Sequence, residues 1–156
     1  MLAMAGDTMD NEKYMRAALE LAQQAAAEGE VPVGCVVVDA DGVIIGTGRN
    51  RREQRHSATA HAEIEAIEAA CHAKGTWRLD GCSLYVTLEP CPMCAGAIIN
   101  ARVTKLFYGA KEAHTGSCGS VINLFMEPYG HEPQIIGGVL ADDCAAVLKD
   151  FFQNLR

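Results

Sequence analysis

No apolar run in the sequence approaches the roughly 18 to 20 residues that would cross a bilayer. The opening residues, "MLAMAGDTMDNEK", hold no basic segment followed by an apolar one, so no signal peptide is expected. Stretches rich in Pro, Gly or Ser are missing, as are internal repeats, which predicts one domain rather than a chain of modules. Positive charge is scarce: 13 Lys and Arg stand against 20 Asp and Glu, a net −7. That balance by itself disfavours a polyanionic partner, because phosphate contacts need cations. The cysteines number seven, an odd count. With no leader, that argues against a disulfide framework and for reduced thiols in a cytoplasmic protein.

What is present is an ordinary globular composition, 49% hydrophobic and 21% charged over 156 residues. The chain is long enough to bury one core. Residues 1–9 are expected to be a flexible tail, and residues 10–156 a single domain. Apolar residues at helical spacing predict a helix over residues 11–28, with Asp10 as N-cap and Gly29 as its stop. "VPVGCVVVDADGVIIGTG" reads as two β-branched strands around an Asp41-Gly42 turn. Gly46 and Gly48 lack a third glycine and a following helix, so they mark a strand end and not a nucleotide-cofactor loop. Residues 58–75 are helical and stop at Gly75. Residues 82–88 form a strand with little alternation, as a strand covered on both faces requires. A helix from Pro92, a strand "KLFYGA", a short helix "CGSVINLF", a short strand "QIIGGVL" and a closing helix follow. Helix, hairpin and then alternating helices and strands predict a three-layer α/β/α domain with a mixed sheet of about five strands.

Chemistry concentrates in two short segments. "TLEPCPMCAG" places Cys91 and Cys94 three apart, directly after a strand. Such a pair can hold a metal, form a redox disulfide or sit in a core. Upstream, "HAE" supplies His61 and Glu63 at the start of a helix, so both segments lie where a strand or loop feeds a helix N-terminus. One imidazole and two thiolates suit zinc, and helix dipoles favour the thiolate form. Three protein ligands leave an open corner, which is the arrangement of catalytic rather than structural zinc. Glu63, two residues from the imidazole, is placed to carry protons for a zinc-activated water. Together, H-x-E and P-C-x-x-C form the signature of zinc-dependent nucleobase deaminases.

The segments "REQRHSATAHAEIEAI", "WRLDGCSLYVTLEPCPMCAGAIINARV", "FYGAKEAHTGSCGSVINLF" and "IIGGVLADDCAAVLKDFF" resemble bacterial tRNA-specific adenosine deaminases, which share the cytidine-deaminase-like fold. The likeness runs from about Glu12 onward. It implies hydrolysis of adenosine to inosine at the wobble position of a tRNA anticodon loop, by a cytoplasmic homodimer. His61, Cys91 and Cys94 match the ligands of one zinc ion per subunit, and Glu63 matches the proton shuttle. In that likeness Asn50, Val31, Ala62 and Pro90 line the base pocket. "RNRREQR" gathers four of the scarce cations, and the resemblance implies an RNA-facing role for Arg51, Arg52 and Arg55. One departure stands out: Gly130, His131 and Glu132 occupy a place where the family commonly carries Asn-His-Arg. A deaminase of a free base or nucleoside, such as guanine, cytosine or adenine, is the alternative in the same fold.

Overall fold

The computed structural model describes residues 5–155. Five strands form one mixed sheet: β1 (Gly34–Val38), β2 (Ile44–Arg49), β3 (Ser83–Leu88), β4 (Lys105–Ala110) and β5 (Gln134–Ile136). Their spatial order is β2-β1-β3-β4-β5. β1 pairs antiparallel with both β2 and β3, whereas β3–β4 and β4–β5 are parallel. Helix α1 (Ala5–Ala27) leads the chain, α2 (Arg52–Arg55) is a single turn, and α3 (Ala62–Lys74), α4 (Pro92–Ala101) and α5 (Ala141–Asn154) are the remaining helices. Among the described residues, no helix is long and apolar enough to cross a membrane.

The strands look uniformly apolar in sequence, but their residues divide by parity between two cores. Cys35, Val37, Leu84, Val86 and Leu106 face the layer made by α3 and α4. Val36, Val38, Tyr85 and Phe107 face α1 and α5. This is the period-two geometry of a strand expressed in a sheet covered on both sides. The three-layer α/β/α architecture expected from the element order is therefore the one observed.

The β1–β2 turn follows from its residues. The Asp39 carboxylate accepts the Asp41 and Val43 amides at 2.9 and 3.0 Å, and Gly42 takes φ +84°. Gly46 and Gly48 act inside β2 by allowing close approach of a helix. A Cβ on Gly46 would stand 2.3 Å from the Ala66 carbonyl, and one on Gly48 would stand 2.2 Å from the Ala62 carbonyl. With Ala62, Ala66 and Ala70 on the facing side, α3 lies almost directly on the sheet. That contact fixes where the N-terminus of α3 ends up.

Two local expectations change. The first helix begins at Ala5, so Asp10 lies inside it and caps nothing; residues 5–9 of the expected tail are helical, and residues 1–4 lie outside the described region. The short helix expected over residues 118–125 is a turn closed by a Cys118–Asn123 bridge, followed by a 3₁₀ turn at Leu124–Met126. The cause is a buried acid. Glu89 pins the turn by accepting the amides of Cys118 and Ser120, and between them Gly119 takes φ +127°, which no right-handed helix can include, with its amide donating to the Ile122 carbonyl at 3.0 Å.

Candidate metal centre and base pocket

His61 is the N-cap of α3 and Cys91 the N-cap of α4, both with extended backbone, while Cys94 lies in the first turn of α4. Pro92 follows at the first helical position, where its missing N–H costs nothing. The packing of α3 against β2 and the adjacent exit of β3 therefore bring together residues 30 positions apart. His61 Nδ1 stands 3.7 Å from Cys91 Sγ and 3.4 Å from Cys94 Sγ. Among the described residues, these three form the one group of side chains close enough to share a metal, with all donor atoms within 4.8 Å. His56, His114 and Cys118 do not join them.

The donor set fits zinc in number, type and spacing. Tetrahedral zinc with Zn–S near 2.3 Å and Zn–N near 2.05 Å separates N from S by about 3.6 Å. The two observed separations bracket that value.

The thiols are prepared for such a role. Hydrogen bonding from Cys94 and then from His61 brings the Cys91 pKa down to about 4, against the opposing effect of burial. Cys94 is raised because it shares its proton with the Cys91 thiolate and is itself buried. His61 is raised, chiefly by its contact with Cys91. Glu63, in the first turn of α3, is 4% exposed. Burial pushes its carboxyl up to about 7, into the range of a group that can both take and give a proton near neutrality.

Beside these groups opens a pocket of about 150 Å³. Val31, Val33 and Leu88 give it apolar walls, and Asn50 gives it a buried amide. Ala62, His61, Glu63 and Cys91 reach its lining, and so does Arg52. Cys94 is fully buried behind it. Asn50 spends half of its hydrogen-bonding capacity on the chain: its Nδ2 donates to the Val31 carbonyl at 3.2 Å, and its Oδ1 accepts the Arg52 amide at 3.2 Å. One donor hydrogen and one lone pair remain for a ligand.

Other expected positions are used differently. Pro90 does not line the pocket; its carbonyl accepts the Ser117 amide at 2.8 Å. Arg51 and Arg55 are drawn to Glu65, at 3.2 and 3.7 Å. His131, in the segment that departs from the family, has its Nε2 2.7 Å from the Val103 carbonyl.

Two further acids, both buried, shape the site without any motif to mark them. Glu89, 2% exposed, lines the pocket and organises the loop that follows β4. It accepts the amides of Glu112 (3.1 Å), Cys118 (2.8 Å) and Ser120 (3.1 Å), and a short bond from the Ser120 hydroxyl. Burial raises its pKa, but these hydrogen bonds outweigh burial and leave it below the usual range. The loop it holds carries Glu112 and Thr115 to the pocket wall. Glu30, 1% exposed, accepts the amides of Glu53 and Gln54 at 3.0 and 2.8 Å and so holds α2. The clue to Glu89 was a carboxylate between an apolar strand and Pro-Cys, since a buried charge must find several donors.

The family model of the MafB19-like deaminases matches residues 9–156. The tRNA-specific adenosine deaminase of Bacillus subtilis is 46% identical over 147 residues, covering 94% of this chain and 91% of that protein. The chain belongs to the family of tRNA-specific adenosine deaminases. Family membership accords with the structural neighbours. A solved tRNA:A34 deaminase, an A-to-I editor of the transfer-RNA wobble position, superposes with a TM-score of 0.83 at 42% identity, covering 87% of this chain and 99% of the other. The guanine deaminase of Nitrosomonas europaea also shares the fold, with a TM-score of 0.79 at 27% identity over 97% of this chain and 86% of that one. Solved deaminases of this one fold are thus named for different purines.

Proposed function

We propose that the protein hydrolyses adenosine to inosine at the wobble position of a tRNA anticodon loop, in the cytoplasm and as a homodimer. The observation that carries this reading is the union of a His-Cys-Cys donor group, a buried glutamate and an apolar-walled pocket with 46% identity to a tRNA-specific adenosine deaminase along nearly the whole chain. His61, Cys91 and Cys94 would hold one zinc ion. Bound there, zinc supplies Lewis acidity that lowers the pKa of water to near 7.

The chain's own groups do the rest. Val31, Val33 and Leu88 sandwich a flat heteroaromatic base and exclude water from its faces. The free donor and lone pair of Asn50 pair with the base edge. Glu63 accepts the proton of the attacking water and delivers it to the departing amino nitrogen, so that adenosine and water become inosine and ammonia. A wobble base is unpaired in its loop, so turning it into the pocket costs little. The dimer would use the exposed side of α3 and α4, where Ile64, Ala97 and Trp77 line an apolar groove.

The test is deamination by zinc-loaded protein of an anticodon stem-loop with a wobble adenosine, with products read by mass. Free guanine, adenine, cytosine, adenosine and cytidine run alongside. Inosine in the stem-loop supports the reading. Turnover of free guanine with an untouched stem-loop would refute it and align the chain with the guanine deaminase.

A further inference from the structure

"RNRREQR" offers four arginines, and the fold treats them unequally. Arg49 is held by Glu28, with Nε 2.5 Å from the carboxylate. Arg51 and Arg55 share Glu65. Arg52 is exposed and lines the pocket, and among the described residues it has no carboxylate within 4.0 Å. Three of the cations have a carboxylate within 4.0 Å, two of them sharing one, and the fourth, with none among the described residues, stands at the mouth of the reaction pocket.

Its position is also fixed from behind. The Arg52 amide donates to Asn50 Oδ1, and the next two amides donate to the buried Glu30 carboxylate. Glu30 thus anchors the turn that carries Arg52, while Asn50 ties that turn to the base-binding wall. A free purine offers nothing anionic to this guanidinium. A base still attached to its strand carries a phosphate within a few ångströms of the sugar.

We infer that Arg52, held at the pocket mouth by Glu30 and Asn50, contacts a backbone phosphate flanking the target base, and so favours a polynucleotide over a free base. This deepens the substrate reading above and rests on it. Arg52 is then the binding residue, and Glu30 is a positioning residue that acts through it.

The experiment measures stem-loop affinity of zinc-loaded protein across a salt series. Arg52→Ala is expected to weaken binding about tenfold and to flatten the slope of log K against log salt by about 0.7, the value for one single-strand phosphate contact. Arg78→Ala, an equal change of charge at a residue paired with Asp80, serves as control. Stem-loops carrying a neutral methylphosphonate at each linkage beside the wobble adenosine supply the complementary perturbation. At one of these linkages, wild-type protein loses the same tenfold and Arg52→Ala loses nothing further. Equal sensitivity of wild type and variant to that substitution overturns the inference, as does a slope loss matched by Arg78→Ala. Glu30→Gln should weaken binding in the wild-type background and add nothing to Arg52→Ala; additive losses overturn the anchoring role. Wild-type protein that neither binds nor deaminates the stem-loop refutes the substrate reading itself, which a normal wild type with an indifferent Arg52 does not.

Discussion

Replacing Glu89 by Gln removes one acceptor oxygen from a carboxylate that four donors share. If the new amide nitrogen takes the Oε1 place, the Ser120 hydroxyl can rotate and accept from it, but the Glu112 amide is left with no partner. The amides of Cys118 and Ser120 keep their oxygen but lose the charge that strengthens their bonds. A stranded buried donor costs about 1–3 kcal/mol, and weakening two charge-assisted bonds brings the sum to roughly 2–4 kcal/mol. Relief of the charge's own burial offsets part of this, though not all, since the carboxyl sits below its ordinary range despite being buried. For a chain of this size the loss corresponds to a Tm roughly 5–12 °C lower. Thermal unfolding of zinc-loaded wild type and variant measures it.

The same reasoning fixes a pH dependence. A carboxylate with a lowered folded pKa stabilises above the unfolded pKa near 4.3, and that stabilisation is lost as pH falls through the folded value. The gap between wild type and Glu89→Gln should therefore close in acid. Because the loop carries Glu112 and Thr115, KM for the stem-loop should also rise. A variant melting within about 1 °C of wild type would refute the account of Glu89 as the organiser of this loop.

Glu63→Ala should reduce deamination at least 10³-fold, by order of magnitude for loss of a general acid–base group, with zinc content and stem-loop affinity retained; single-turnover assays with metal analysis check both. Chelation of the metal should abolish activity and lower Tm, with both restored by zinc. In metal-free protein at neutral pH, Cys91, whose pKa lies at about 4, should alkylate well before the buried Cys35 and Cys144, and zinc should protect it. Equal alkylation rates, mapped by mass, would contradict its thiolate character. Gly34→Ala would set a Cβ 1.9 Å from the Ala18 carbonyl and 2.7 Å from the Ala22 amide, both backbone atoms of α1. Denaturant unfolding should show a loss of about 3 kcal/mol or more, because no flexible side chain can yield.

Local chemistry determined a good deal of this protein from sequence. Apolar runs between turn residues marked the strands. Gly29 and Gly75, at φ +82° and +70°, ended their helices as left-handed residues do. His61, Glu63, Cys91 and Cys94 were legible because metal chemistry needs particular residue types at short spacings, each beside a helix start. The fate of the polar residues between these landmarks was not legible. Whether Arg51 and Arg55 face a ligand depends on Glu65, one turn into α3, and on how closely Gly46 and Gly48 let that helix approach β2. Whether residues 118–125 form a helix depends on Glu89, some 30 positions earlier in the chain, whose carboxylate takes their amides. A carboxylate's partners are set by distances across the fold. Sequence spacing therefore named the metal-binding group and the proton carrier, while tertiary packing alone decided which acids are buried, which arginines lie beside a carboxylate, and that Arg52, at the pocket, has none among the described residues.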